Sequence, residues 1–304
     1  MAFTAQDVKK LRDQTGCGMM DCKKALSDSE GDFDKAIEIL REKGLAAATK
    51  KASRIAAEGM VYAVTKGNVG VVLEVNAETD FVAKNEKFQN FVKETAEVII
   101  DQNPADVDAL LASKMGEGTV ESALQENILV IGENMKVRRF VRYEGPCVAY
   151  IHGGGTHAVL VNFETSDEIY AKPEFMACGK DVAMQIAAVN PTHLVREDYA
   201  QDVIEKETAI LIAQIQQDPK TQGKPQAVID KMVTGRLAKF FKESCLMEQP
   251  FVKDDKMSVL NYVDNCAKSL GGDIKVVKFV RFEKGEGIEK RVDDFASEVA
   301  SMVK

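Results

Sequence analysis

The sequence predicts a mixed α+β protein in which one sheet-and-helix unit occurs twice. Three observations predict it. Apolar residues recur at helical spacing through the first 44 residues, then switch at Met60 to β-branched runs with the period of a strand. The tetrapeptide NAET at 76–79 returns as NFET at 162–165. The segment KVRRFVRYE at 136–144 returns as KVVKFVRFE at 275–283, an offset larger by 53 residues, so the second copy carries an insertion.

Residues 4–44 read as three short helices. Thr4 and Asp7 fit a capping pattern ahead of Val8 and Leu11, and TGCG at 15–18 ends the first helix. A second runs from about Met20 to Ser29 and closes at Gly31. The third starts at Asp32, places Phe33, Ile37 and Leu40 on one face, and meets a C-terminal stop at Gly44. The Ala-rich basic stretch after it lacks an apolar stripe and suits a helical linker.

From Met60, MVYAVT and VGVVLEVN flank a Gly-Asn turn, which is a hairpin signal. The next helix gathers Phe88, Phe91, Val92, Thr95, Val98 and Ile99 on one face. A further helical stretch holds Leu110, Leu111, Leu124 and Ile128 before a strand at 135–144. CVAYIH and HAVLVNF form the second hairpin around GGGT, and AKPEF at 171–175 echoes AKNEKF at 83–88. The insertion reads as an antiparallel helical hairpin of coiled-coil type, with helices at 196–217 and from Val228 to Phe241. Ile288, Val292, Phe295, Val299 and Met302 define a C-terminal amphipathic helix. The expected domains are 1–54, a three-helix module with its linker; 55–145 and 146–284, the two α+β subdomains, with the hairpin at about 196–245; and 285–304.

With 304 residues and a net charge of −8, the chain is not built mainly to neutralise phosphates. The first 54 residues stand apart, with 11 Lys/Arg against 9 Asp/Glu. No apolar run approaches the ~18 residues of a bilayer span, and the N-terminus lacks the pattern of a secretory signal, so a cytoplasmic location is expected. The six cysteines contain no CxxC pair and have no histidine at metal spacing, which suits reduced, mostly buried thiols.

No enzyme motif is present: no GxxxxGK[ST], GxSxG or HExxH, and no GxGxxG opening a helix after a strand. Of the three histidines, His157 begins an apolar strand and reads as structural. His152, at a turn, is open to either a contact or an idle role. What calls for explanation is apolar surface. Met19 and Met20 follow glycines at a helix start, where two adjacent side chains cannot easily share one small core; either one is exposed or both tuck in. The loop Glu78 to Lys84 offers an acidic residue and then Phe81, which either plugs the core or probes a partner.

These segments resemble the bacterial elongation factor Ts family. The resemblance rests on LRDQTGCGMMDCKKAL, EVNAETDFVAKNEKF, IGENMKVRR and FVRFEKGEGIEK, in the family's order, and covers essentially the whole chain. It implies a ubiquitin-associated-like (UBA-like) N-terminal bundle, two related α+β subdomains, a coiled-coil hairpin and a C-terminal helix. It also implies a non-enzymatic guanine-nucleotide exchange factor acting on elongation factor Tu. In that family the TDFV tetrapeptide, here Thr79, Asp80, Phe81 and Val82, disturbs the partner's magnesium site. Met19, Met20, Ile131, Gly132 and His152 carry over as further partner contacts. The segment 101–125 resembles the family least and receives no role. No cofactor, metal, membrane or direct nucleic-acid partner is expected. The alternative is an interaction scaffold without effect on nucleotide.

Overall fold

The computed structural model describes residues 3–289. Three helices open the chain, α1 (Ala5–Thr15), α2 (Met19–Asp28) and α3 (Phe33–Lys51). Thr4 and Asp7 close a reciprocal cap on α1, the Asp7 backbone amide donating to Thr4 and the Thr4 amide donating to Asp7. Val8, Leu11, Cys22, Ala25, Leu26, Ala36 and Leu40 make the bundle core.

Gly44 does not stop α3, as the local pattern suggests; the helix runs on to Lys51 and absorbs the Ala-rich stretch. The reason is tertiary. Gly44 is buried, and a Cβ there would lie 3.4 Å from the backbone oxygen of Gln125 on a crossing helix. The glycine permits a close helix approach, which outweighs its poor propensity of about 1 kcal/mol.

Strands β1 (Glu58–Lys66) and β2 (Val69–Ala77) pair antiparallel around Gly67 and Asn68. A single turn, α4 (Asp80–Ala83), leads into α5 (Glu86–Gln102), whose six expected face residues are all buried. The helical stretch expected next is broken. It consists of α6 (Val107–Ala112), a small hairpin of β3 (Lys114–Met115) and β4 (Gly118–Thr119), and α7 (Val120–Ile131). Strand β5 (Met135–Glu144) then joins β2, giving the order β1-β2-β5.

The second unit repeats this plan. Strands β6 (Cys147–His152) and β7 (His157–Glu164), the single turn α8 (Asp167–Tyr170) and α9 (Pro173–Val189) come first. The inserted hairpin follows, as α10 (Gln201–Gln217) and α11 (Gln226–Ser244); Arg196–Asp198 form a separate 3-10 turn rather than the start of α10. Leu211 and Ile215 bury on one helix, Val233 and Phe241 on the other, while Val228 lies off this seam in solvent.

Residues 245–274, which the sequence patterns leave unassigned, contain β8 (Pro250–Phe251), β9 (Asp254–Ser258) and α12 (Val259–Leu270) before β10 (Lys275–Glu283). They complete the duplication: α12 has the 12-residue length of α7, each is capped by a hydroxyl, Thr119 or Ser258, and each ends at a left-handed glycine, Gly132 or Gly271. The second sheet has the order β6-β7-β10. The C-terminal amphipathic helix expected through Val292, Phe295, Val299 and Met302 lies outside the described residues.

Strand alternation builds three cores from two sheets. Val71, Leu73 and Val75 face α5, Val159, Val161 and Phe163 face α9, and the opposite faces meet back to back through Val72, Ala158 and Leu160. Gly70 serves this contact, since a Cβ there would lie 2.6 Å from Leu160 Cδ1. At the edge of this seam Glu74, fully buried, accepts bonds from Arg138, Arg139, Asn76 and the backbone of Gly285.

Candidate functional site

The tetrapeptide at the end of β2 forms an outward turn. Thr79 has extended backbone, and α4 then completes one helical turn in which successive side chains point about 100° apart. Val82 enters the core of the first unit and Phe81 therefore points away, 77% exposed. Leaving a large side chain in water forgoes about 1.5–3 kcal/mol of burial. Asp80 pairs with Lys84 at 3.2 Å, and the Lys84 ammonium stands 5.9 Å from the centre of the Phe81 ring. Phe81 thus stands in solvent and does not plug the core.

The turn is held from outside. Both the backbone amide and the hydroxyl of Thr79 donate to the Glu133 carboxylate, at 2.9 and 2.7 Å. Glu78 accepts from the Asn134 backbone amide at 2.6 Å and from Arg54 at 3.3 Å. Asn134 in turn donates to the Arg54 carbonyl. These bonds place Ile131 and Gly132, at the end of α7, beside the Thr79 turn; Ile131 is half-buried and Gly132 exposed. Glu78, Glu133, Asn134 and Arg54 are the residues that sequence patterns missed. The signal available was the adjacency of Glu133 and Asn134 to Ile131 and Gly132 in one motif.

Met19 and Met20 begin α2 and are both exposed, 49% and 73%. Cys22, Ala25 and Leu26 take the core-facing positions of this helix, so neither methionine is tucked in. The preceding Gly16 lies near the first turn of α5, where its Cβ would stand 2.7 Å from Lys87 Nζ. His152 is exposed at the β6–β7 turn of the second unit and bonds to Tyr150 at 2.9 Å; the same turn reaches β1, where the Val61 amide donates to the Gly155 carbonyl at 2.9 Å. His157 pairs instead with Glu283 at 3.4 Å.

None of these projecting residues lines a cavity of note. A partly open cleft of about 330 Å³ lies between the bundle and α7, bordered by Leu40, Gly44, Glu117 and Gln125. Burial pushes the Cys17 and Cys147 thiols up, away from the thiolate form that a nucleophile needs. No helix among the described residues is long and apolar enough to cross a membrane.

Fold and site define a two-unit α+β protein whose candidate site projects from the surface instead of enclosing a ligand. The family described as "Elongation factor TS" matches residues 78–286. The chain is 46% identical over 312 residues to Elongation factor Ts of Syntrophotalea carbinolica, covering 100% of both chains. It is 48% identical over 308 residues to that of Clostridium perfringens and 47% over 307 to that of Clostridioides difficile, each across 99% of both chains. The chain belongs to the elongation factor Ts family of translation elongation factors.

Proposed function

We propose that this chain is a non-enzymatic guanine-nucleotide exchange factor that binds elongation factor Tu carrying GDP, disturbs its magnesium site and lets GTP replace GDP. One observation carries the reading: Phe81 stands in solvent on a single turn that is pinned at Thr79 and anchored at Val82. A fold that spends burial energy to hold an aromatic outward is prepared for a second surface.

The physical mechanism is competition between two ligands of one partner. If the factor weakens GDP binding, linkage requires GDP to weaken binding of the factor by the same ratio. Magnesium demands near-octahedral geometry at about 2.0–2.1 Å, so a small displacement of its supporting loop forfeits much of the coordination. The diphosphate is then less neutralised and leaves faster. Thr79, Asp80, Phe81 and Val82 form the intruding turn, with Met19, Met20, Ile131, Gly132 and His152 as flanking contacts. The N-terminal bundle acts as a UBA-like docking module and the α10–α11 hairpin as a coiled-coil arm. The factor works in the cytoplasm without cofactor, membrane or nucleic acid.

Stopped-flow release of a fluorescent GDP analogue from purified elongation factor Tu tests this. Acceleration by the chain is expected. Tight binding without acceleration would leave an interaction scaffold in its place.

A further inference from the structure

We infer that Glu133 is a positioning residue for the exchange site, its carboxylate setting the direction in which Phe81 projects. The inference rests on the exchange reading above. It starts from a weakness of α4, which is one turn of four residues and too short to hold a helical conformation alone. Thr79 stands at its N-cap position yet makes no capping bond with its side chain, because the hydroxyl is turned the other way to donate to Glu133. The backbone amide of the same residue donates to the second carboxylate oxygen. Two bonds to one ionised group fix both position and rotation, as a single bond cannot.

The second unit supplies an internal control. By equal position after the α7 and α12 helices, Gly272 stands where Glu133 stands in the first unit, and it has no side chain to offer. Thr165, the counterpart of Thr79, donates instead to the carbonyl of Asp273, and Ser166 caps α8 in the ordinary way by accepting from Ile169. That turn buries Ile169 and presents Glu168 to solvent. The carboxylate clamp therefore accompanies the one turn of the two that carries an exposed aromatic.

Glu133 and Thr79 are both half-exposed, so the clamp is poorly placed to supply core stability. Beside the clamp, the next residue, Asn134, joins the turn to the N-terminal module by donating to Glu78 and to the Arg54 carbonyl. Losing the clamp should leave the chain folded and its partner affinity largely in place while blunting the effect of the bound factor on nucleotide.

The test uses the full chain with elongation factor Tu and a fluorescent GDP analogue, comparing Glu133→Ala, Glu133→Gln, Phe81→Ala and the double variant Glu133→Ala with Phe81→Ala. Glu133→Ala is expected to lower the plateau release rate at saturating factor at least fivefold, with less than a threefold change in the half-saturating concentration. Glu133→Gln, whose amide oxygen still accepts one bond, should recover part of the loss. The double variant should release no more slowly than Phe81→Ala within twofold, because both changes act through one side chain. An unsubstituted chain that does not accelerate release sinks the exchange reading and this inference with it, whereas a Phe81→Ala chain that releases GDP at the original rate overturns the role of Phe81 and this inference but leaves exchange itself standing. If Phe81→Ala is slow but Glu133→Ala is unchanged, or the two defects multiply, only the positioning role is overturned. Should Glu133→Ala fail to fold by thermal melt, Thr79→Val removes the hydroxyl bond from the other side, with a slowed plateau expected and an unchanged one contradicting the role.

Discussion

Phe81 and Glu168 are the second residues of the two single-turn helices, α4 and α8, that follow equivalent hairpins in the two units. Their neighbours Val82 and Ile169 are both buried. One fold has thus solved the same turn twice, with a solvated carboxylate in one copy and an exposed aromatic ring in the other.

Replacing Phe81 by the residue of the sister turn, Phe81→Glu, should therefore be neutral for the fold and severe for exchange. Thermal melting should shift by no more than an ordinary surface substitution, within about 0.5 kcal/mol. Truncating an anchor in a desolvated pocket commonly costs about 2 kcal/mol or more, so GDP release should slow at least tenfold with magnesium abundant. Chelating the magnesium should shrink the defect of Phe81→Ala; an equal defect in both conditions would mark Phe81 as a binding anchor only.

Met19→Ala combined with Met20→Ala should weaken the complex with elongation factor Tu at least tenfold, since burying one such side chain contributes about 1.5–3 kcal/mol. Both side chains are exposed in the free protein, so calorimetry of the unbound variant should show a nearly unchanged melt. A large drop in melting temperature with intact affinity would contradict the assignment.

The α10–α11 hairpin should be separable. Its base is locked by Tyr199, which stacks on His193 at 3.7 Å and meets Phe240 and Phe241. Beyond that base, Val203, Ile210, Ile212 and Val228 are exposed. Substituting residues 203–237 by a short flexible linker should leave the unfolding of the two sheets nearly unchanged and weaken partner binding. Global unfolding of the shortened chain would show that the hairpin supports the second unit.

Glu74 gives the protein an acid-sensitive seam. Burial alone would raise its pKa, but Asn76, the Gly285 amide and Arg139 outweigh burial and hold the carboxyl below its ordinary value of 4.5. A folded-state value below the unfolded one means that the stabilisation is present above about pH 4.5 and is lost as pH falls through the folded value. Denaturant melts should show stability falling below that range. Glu74→Gln should flatten the dependence while costing about 3 kcal/mol at neutral pH, because Arg138 and Arg139 lose their buried counter-charge.

Strand pairing and the face of α5 were legible because their signals are local: the Gly67-Asn68 turn fixes one register, and Phe88 to Ile99 repeat at helical spacing. Gly44 was misread for the same reason, as nothing near it in sequence reveals that α7 crosses there. The β8–β9 hairpin escaped because its strands are short and carry Asp254, Asp255 and Lys256, whereas α12 was legible and overlooked: Val259, Tyr262, Val263, Cys266, Ala267 and Leu270 repeat at helical spacing, and Gly132 and Gly271 mark equivalent helix ends. Phe81 and Val82 are adjacent and both apolar, so only the seating of α4 decides which faces outward. The Thr79–Glu133 clamp joins residues 54 positions apart and leaves no local trace.

Because α3 continues unbroken past Gly44, with Leu40 in the bundle core and Ala48 against the first unit, one continuous strut joins the module that bears the methionine pair to the unit that bears the Phe81 turn. In the proposed complex the two contacts then behave as a bivalent ligand with a stiff spacer. Engaging either delivers the other at high effective concentration, and the second contact forms with little further loss of translational and rotational freedom. Gly44→Pro would break the strut and press its ring on the Gln125 backbone, loosening the seat of the bundle on α7, so avidity would fall although Met19, Met20 and Phe81 themselves were unchanged.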